Sequence, residues 1–239
     1  MKKILVVFFT LFCVVQPTLA NDVIYSDNTP SCITFLKGFQ SCNCFHSKAI
    51  LTCGNINFGN IKAVSNRPVY SALIDFCINR QNVKLAETKY PFLTTQMKII
   101  DKLTDKKNRY GIILSSKHNI DCLKDAKIKN LKVFKVRKSF EIPYIVDKAV
   151  KSSDIILLYP EKFLDNSLIV EFIIKKIVLA GKSYVAYSKK YLELGAKAVF
   201  LVNFLKEGKR FADIISKGNV NGKIIEPKFF KVEVNKSVE

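Results

Sequence analysis

Histidine is scarce in this sequence, with only His46 and His118 in 239 residues. Neither stands in a G-x-S-x-G, H-E-x-x-H or comparable frame, where an imidazole would serve a nucleophile or a metal. Glycine is sparse too, at nine residues. Gly111 falls inside an apolar run and Gly54 stands alone, so no Gly-rich loop follows a strand and nucleotide binding is unsupported. Acidic residues number 20 against 39 Lys and Arg. Pairs drawn from Asp75, Asp154, Asp165 and Glu193 would arise by chance in such a set, and most acids are expected to be solvated or salt-bridged. With no catalytic machinery in view, the chain is expected not to be an enzyme and to carry no cofactor. After residue 20 no apolar run approaches the roughly 20 residues that a membrane-crossing helix needs.

The N-terminus is where an apolar run does occur. Lys2 and Lys3 give a positive start, Ile4 to Val15 is almost wholly apolar, and Thr18-Leu19-Ala20 offers small residues for cleavage, the three parts of an export signal. Residues 1–20 are therefore expected to be a signal peptide, with a mature, exported chain starting near Asn21. An uncleaved anchor is the alternative, and the run is too short for it. Phe12 before Cys13 argues against a lipoprotein. The formal charge is +19, or +17 without Lys2 and Lys3, which favours anionic partners. The lysines are spread along the whole chain without aromatic–basic interleaving, so nucleic acid is not an expected partner. A Lys-rich solvated surface with some attraction to anionic lipid headgroups or to an anionic ligand is the simpler expectation. The composition, 49% hydrophobic and 25% charged, suits an ordered globular chain with one sizeable core or two small lobes with a cleft between them.

Six cysteines remain after the signal: Cys32, Cys42, Cys44, Cys53, Cys77 and Cys122. Four fall between 32 and 53, so an oxidising compartment would cross-link the mature N-terminus, with a connectivity that spacing does not reveal. Buried free thiols are the reduced counterpart. Cys42, Cys44 and His46 also form a C-x-C-x-H set that would share one strand face, but the spacing is not a strong zinc pattern, and no metal site is expected.

From residue 48 onward, short apolar runs alternate with segments of helical period. Strands are expected at 49–53, 69–76, 110–114, 131–136, 155–159 and 183–187. Helices are expected at about 94–104, 120–126, 143–150, 166–180 (closed by Gly181) and 190–206 (stopped by Gly208). A terminal strand pair follows around Ile224 and Phe229 to Val234. Strands that are apolar throughout and alternate with helices predict an α/β fold with parallel sheets covered on both faces. Ligands of such sheets lie past the carboxyl ends of the strands.

Several segments carry a more specific likeness. RYGIILSS, VDKAVKSSDIILLYPEKFLDNS, YSKKYLELGAKAVFLVNFLKEGK and the tail IIEPKFFKVEVNKS, with KAILTCGN and NRPVYSALID ahead of them, resemble ABC transporter substrate-binding proteins of the type I periplasmic-binding fold. The branch resembled includes aromatic-amino-acid binders. The resemblance spans about residues 48–237. It implies a two-lobed α/β fold with the first lobe truncated, since the family's first βα unit has no evident counterpart in 21–47. It also implies a shortened connection between Val185 and Tyr191. The organisation expected is a signal peptide (1–20), a cysteine-bearing segment (21–47), a first lobe (48–107), a second lobe (108–189), and a C-terminal helix and strands returning to the first lobe (190–239). By the same resemblance, a small-molecule ligand such as an amino acid would be held between the lobes and presented to a membrane permease. The matching ligand-binding positions are Asn55, Asp75, Ser115, Ser116, Tyr159, Asn166 and Ser188. Each also suits a plainer role: turn or cap for Asn55 and Asn166, strand end for Ser115 and Ser116, sheet-edge cover for Tyr159. The alternative is a non-catalytic envelope interaction protein that kept the fold without the pocket.

Overall fold

The computed structural model of the chain describes residues 5–8, 23–26, 29–41, 50–54, 69–74, 83–116, 128–218 and 222–235. They fall into two compact units, one made of residues 1–92 and 202–230, the other of residues 93–201 and 231–239.

The first unit is built on sheet A. Its strands are β1 (Leu5–Phe8), β2 (Val23–Ser26), β3 (Ile50–Cys53), β4 (Val69–Ile74), β5 (Val83–Thr88) and β11 (Lys223–Ile225), in the order β1-β2-β3-β4-β5-β11. Every pairing is parallel, and β3 and β4 are buried along their whole length. Helices α1 (Pro30–Ser41) and α6 (Phe204–Ser216) cover this sheet. Residues 21–47 were expected to lack a βα unit, and β2 with α1 forms one. Pro30 opens α1, where a missing N–H costs nothing, and Thr29 Oγ1 accepts the Cys32 N–H at 3.4 Å. Cys32, Phe35, Leu36 and Phe39 then form the buried stripe, at the spacing of one helix face. β1 lies inside the expected export signal and pairs with β2 alone, at the sheet's outer edge.

Cys32 in α1 and Cys53 in β3 form a disulfide across the helix–sheet interface. Cys42, Cys44, His46, Cys77 and Cys122 lie outside the described residues, as does the helix expected over 120–126.

β5 went unread in the sequence because Lys84 and Glu87 interrupt its apolar run. Glu87 is nevertheless fully buried. Arg210 of α6 reaches its Oε2 at 3.1 Å and bonds Glu207 Oε2 at 2.5 Å. Glu207, also fully buried, accepts the Phe229 N–H, and Arg210 donates to the Glu226 carbonyl at 3.0 Å. Burial holds the Glu87 carboxyl well above the usual range; Arg210 opposes this, and the adjoining Glu207 reinforces it. One guanidinium thus faces two buried carboxyls, and the burial that raises the Glu87 value favours its uncharged form, which lowers the cost of holding the cluster away from water.

The second unit is built on sheet B: β6 (Tyr110–Ser115), β7 (Leu131–Val136), β8 (Ile155–Leu157), β9 (Ser183–Ala186), β10 (Ala198–Val202) and β12 (Phe230–Val234), in the order β12-β10-β9-β8-β6-β7. Its helices are α2 (Leu93–Thr104), α3 (Ile142–Ser152), α4 (Ser167–Leu179) and the single turn α5 (Lys190–Glu193). α2, expected to close the first lobe, clusters with this unit instead. The buried Tyr110 hydroxyl lies 2.7 Å from Asp101 Oδ1 and 3.0 Å from the Met97 carbonyl, fastening α2 to β6. Asp154, just before β8, accepts the Nε–H, Nη2–H and backbone N–H of Arg109 and lies 3.3 Å from Lys182 Nζ.

The helix expected over 190–206 divides into α5, β10 and the start of α6. Gly195 adopts φ +90° and ends α5 in a left-handed conformation, AVFLV is an apolar β-branched run, and Asn203 Oδ1 caps α6 by accepting the Lys206 N–H at 3.1 Å. Gly208, expected to stop a helix, sits inside α6. The expected terminal strand pair also separates, since β11 joins β5 in sheet A while β12 lies beside β10 in sheet B.

Candidate functional site

In sheet B the chain leaves β6 for β7 on one side, returns through α3, and enters β8 on the other side of β6. Strand order therefore reverses between β6 and β8, the kind of switch point at whose carboxyl ends open α/β sheets bind their ligands. Among the described strands of sheet A the order shows no such reversal.

Four of the seven expected ligand residues lie along the carboxyl ends of these strands. Ser115 ends β6, and its N–H donates to Glu161 Oε1 at 3.0 Å. Tyr159, beyond β8, is 1% exposed and meets Tyr187 edge-to-face with ring centroids 5.2 Å apart. The Tyr187 hydroxyl donates to Gln96 Oε1 of α2 at 2.6 Å, and its ring packs against Phe200. Ser116 is exposed and donates its N–H to the Val136 carbonyl at 2.8 Å, prolonging the β6–β7 pairing. Ser188 follows Tyr187, and its carbonyl accepts the Tyr191 N–H at 3.1 Å where α5 begins.

Asn166 has a different task. Its Oδ1 accepts the Leu168 and Ile169 N–H groups at 3.0 and 3.4 Å, which makes it the N-cap of α4, the plainer of its two roles. Asn55 and Asp75 lie outside the described residues. Next to Asn55, Gly54 donates to the Ala72 carbonyl at 2.9 Å. Two residues before Asp75, Leu73 takes φ +54° at a register shift in β4.

Glu161, Tyr187 and Gln96 are the residues that sequence reasoning missed. Glu161 is 8% exposed, and its signal was an acid placed just past an apolar strand and a proline. Tyr187 was read only as the last residue of a strand. Gln96 carries no local signal, being 91 positions from the tyrosine it meets. Together with Tyr159 these residues hold a carboxyl, a carboxamide and two tyrosine rings with their hydroxyls, which is hydrogen-bonding and stacking chemistry. Among the described residues no group of three or more His, Cys, Asp or Glu could hold a metal, and no helix is long and apolar enough to cross a membrane.

No protein-family model matches the chain, and no curated protein sequence matches it. Solved structures do. The ABC domain in complex with L-Trp from Streptococcus pneumonia superposes with a TM-score of 0.56 at 16% identity, over 91% of this chain and 92% of that one. GanP, a glucose-galactose binding protein from Geobacillus stearothermophilus, gives 0.56 at 11% identity over 92% and 99%. A ligand-free, open substrate-binding protein with adhesive properties from Clostridium difficile gives 0.55 at 13% identity over 91% and 92%. At these identities the likeness is one of fold. The chain has the mixed α/β architecture of two-lobed periplasmic-binding-like proteins, with parallel sheets covered by helices.

Proposed function

We propose that this chain is an exported substrate-binding protein that holds a small solute at the carboxyl ends of β6, β8 and β9 and presents it to an ABC-transporter permease. One observation carries the reading: the switch point of sheet B holds Ser115 and Glu161 in direct contact at 3.0 Å, with the Tyr159–Tyr187 pair along the same strand ends. Reversal of strand order marks where open α/β sheets bind their ligands, and these residues supply polar and aromatic groups suited to fixing and stacking a solute. Amino acids, aromatic ones first, and hexoses are the solutes to try, since they span what the similar structures are described as binding. The N-terminal export pattern supports an extracytoplasmic place of action.

Thermal-shift screening against amino acids and hexoses tests the proposal. A solute at 100 times its dissociation constant adds about 2.7 kcal/mol of stability, an unmistakable rise in Tm, and Tyr159→Ala and Glu161→Gln are expected to abolish that rise. No shift with any solute would overturn the proposal in favour of an interaction protein without a ligand pocket.

A further inference from the structure

The edge of sheet B bears a surface that solute binding leaves unexplained. β7 is the outermost strand, and residues 126–140 contain no acid. Within that stretch Lys132, Lys135, Arg137 and Lys138 are all exposed. The strand runs into a short 3-10 turn, Ser139–Glu141, at which Phe140 is 76% exposed. Tyr144, four positions on, is 60% exposed, and Lys148 and Lys151 continue the same helical stripe on α3. The opposite stripe, Ile142, Val146, Ala149 and Val150, is buried in the core.

Each exposed ring carries an ammonium group: Lys138 Nζ lies 5.8 Å from the Phe140 centroid and Lys148 Nζ 4.2 Å from that of Tyr144. The nearby acids are already engaged. Glu141 accepts the Arg137 and Lys138 backbone N–H groups at 2.8 and 3.2 Å, and Asp147 pairs with Lys176 at 3.0 Å. What remains is a cationic strip tipped by two outward aromatic rings.

The geometry points to an anionic phospholipid surface as the partner of this edge. Lysines beside such a surface are drawn to its negative potential, and aromatic side chains settle at the boundary between headgroups and acyl chains. A soluble anionic polymer would use the lysines but would leave Phe140, 76% exposed, in water.

The chain contains no tryptophan, so Phe140→Trp creates a single fluorophore at the tip, with Leu194→Trp, at a position 49% exposed, as control. With the full chain and vesicles rich in phosphatidylglycerol, Phe140→Trp emission is expected to shift to the blue and to be quenched by brominated acyl chains. Neither change is expected with phosphatidylcholine vesicles, or at Leu194→Trp. Adding Lys138→Glu and Lys148→Glu should lower the apparent partition at least tenfold. Equal response to neutral vesicles, absence of quenching at 140, or an identical response at 194 would overturn the proposal. So would an unchanged spectrum with vesicles alongside tight binding of soluble polyphosphate, which would assign the strip to a free polyanion.

Discussion

Gly38 of α1 and Gly208 of α6 lie where the two helices cross with almost no gap. A β-carbon at Gly38 would stand 2.0 Å from the Leu205 carbonyl oxygen, and one at Gly208 would stand 1.9 Å from that of Phe35. Both obstructing atoms are backbone, so no rotamer change relieves the clash. Alanine in a helix interior ordinarily gains about 0.8–1 kcal/mol over glycine; here overpacking of about 1–3 kcal/mol or more reverses the sign. Gly208→Ala is expected to lower the urea midpoint, whereas alanine at exposed helical sites such as Lys209 should leave it nearly unchanged.

The buried cluster beneath β5 gives a second expectation. Removing Arg210 leaves Glu207 without its cation, so Arg210→Met should cost about 3–5 kcal/mol in urea unfolding. Glu87→Gln should be far milder, because glutamine matches the carboxyl in shape and removes a charge that burial disfavours.

Glu87 also sets a pH dependence. Its folded value is raised, so its contribution is full below the unfolded value of about 4.3 and declines as pH rises through the higher folded value. Stability measured from pH 4 upward should fall less in Glu87→Gln than in the natural chain. Parallel curves would contradict the assignment.

Asp154 acts in the opposite direction. Hydrogen bonds from Arg109, foremost among its surroundings, hold its carboxyl well below the usual range. Its contribution is present above the unfolded value of about 3.9 and is lost as pH falls below it. Asp154→Asn should flatten the acid limb of the stability profile while leaving the limb governed by Glu87 intact.

The Cys32–Cys53 bridge spans a sequence separation of 21, a loop whose closure is worth roughly 3 kcal/mol by chain-entropy reasoning. Reduction, or Cys53→Ser, should lower stability by about that much, and protein recovered from outside the cytoplasm should contain the bridge by peptide mass mapping.

A chain starting at Asn21 should fold as stably as the full one, since it loses only an edge strand with a single neighbour. On the proposed export, N-terminal sequencing of the mature protein is expected to begin at that residue. A lowered urea midpoint on deleting 1–20 would instead make β1 part of the working fold.

What the sequence disclosed follows from what is locally encoded. β6, β8 and β9 were legible because strands buried on both faces must be apolar throughout, and α4 because Asn166 and Gly181 mark its ends. β5 was hidden because Glu87 is satisfied by a residue of α6 more than a hundred positions away. α1 was hidden because Thr34 and Gly38 weaken its helical signature, although Gly38 is what its packing requires. Ser115 and Tyr159 could be proposed as strand ends, but that Ser115 touches Glu161, 46 positions on, depends on strand order, which no local pattern records.

The split composition of the first unit also constrains how the protein is made. α6 starts 163 residues after α1 ends, so during vectorial synthesis the apolar stripe of α1 waits without its partner while the strands of sheet B from β6 to β10 emerge as one contiguous stretch. The unit begun first thus closes only after most of the second has emerged, and β12 of sheet B comes last of all. A nascent chain of this kind keeps α1 open until nearly all of it is available, the state that the proposed export through a translocation channel would require.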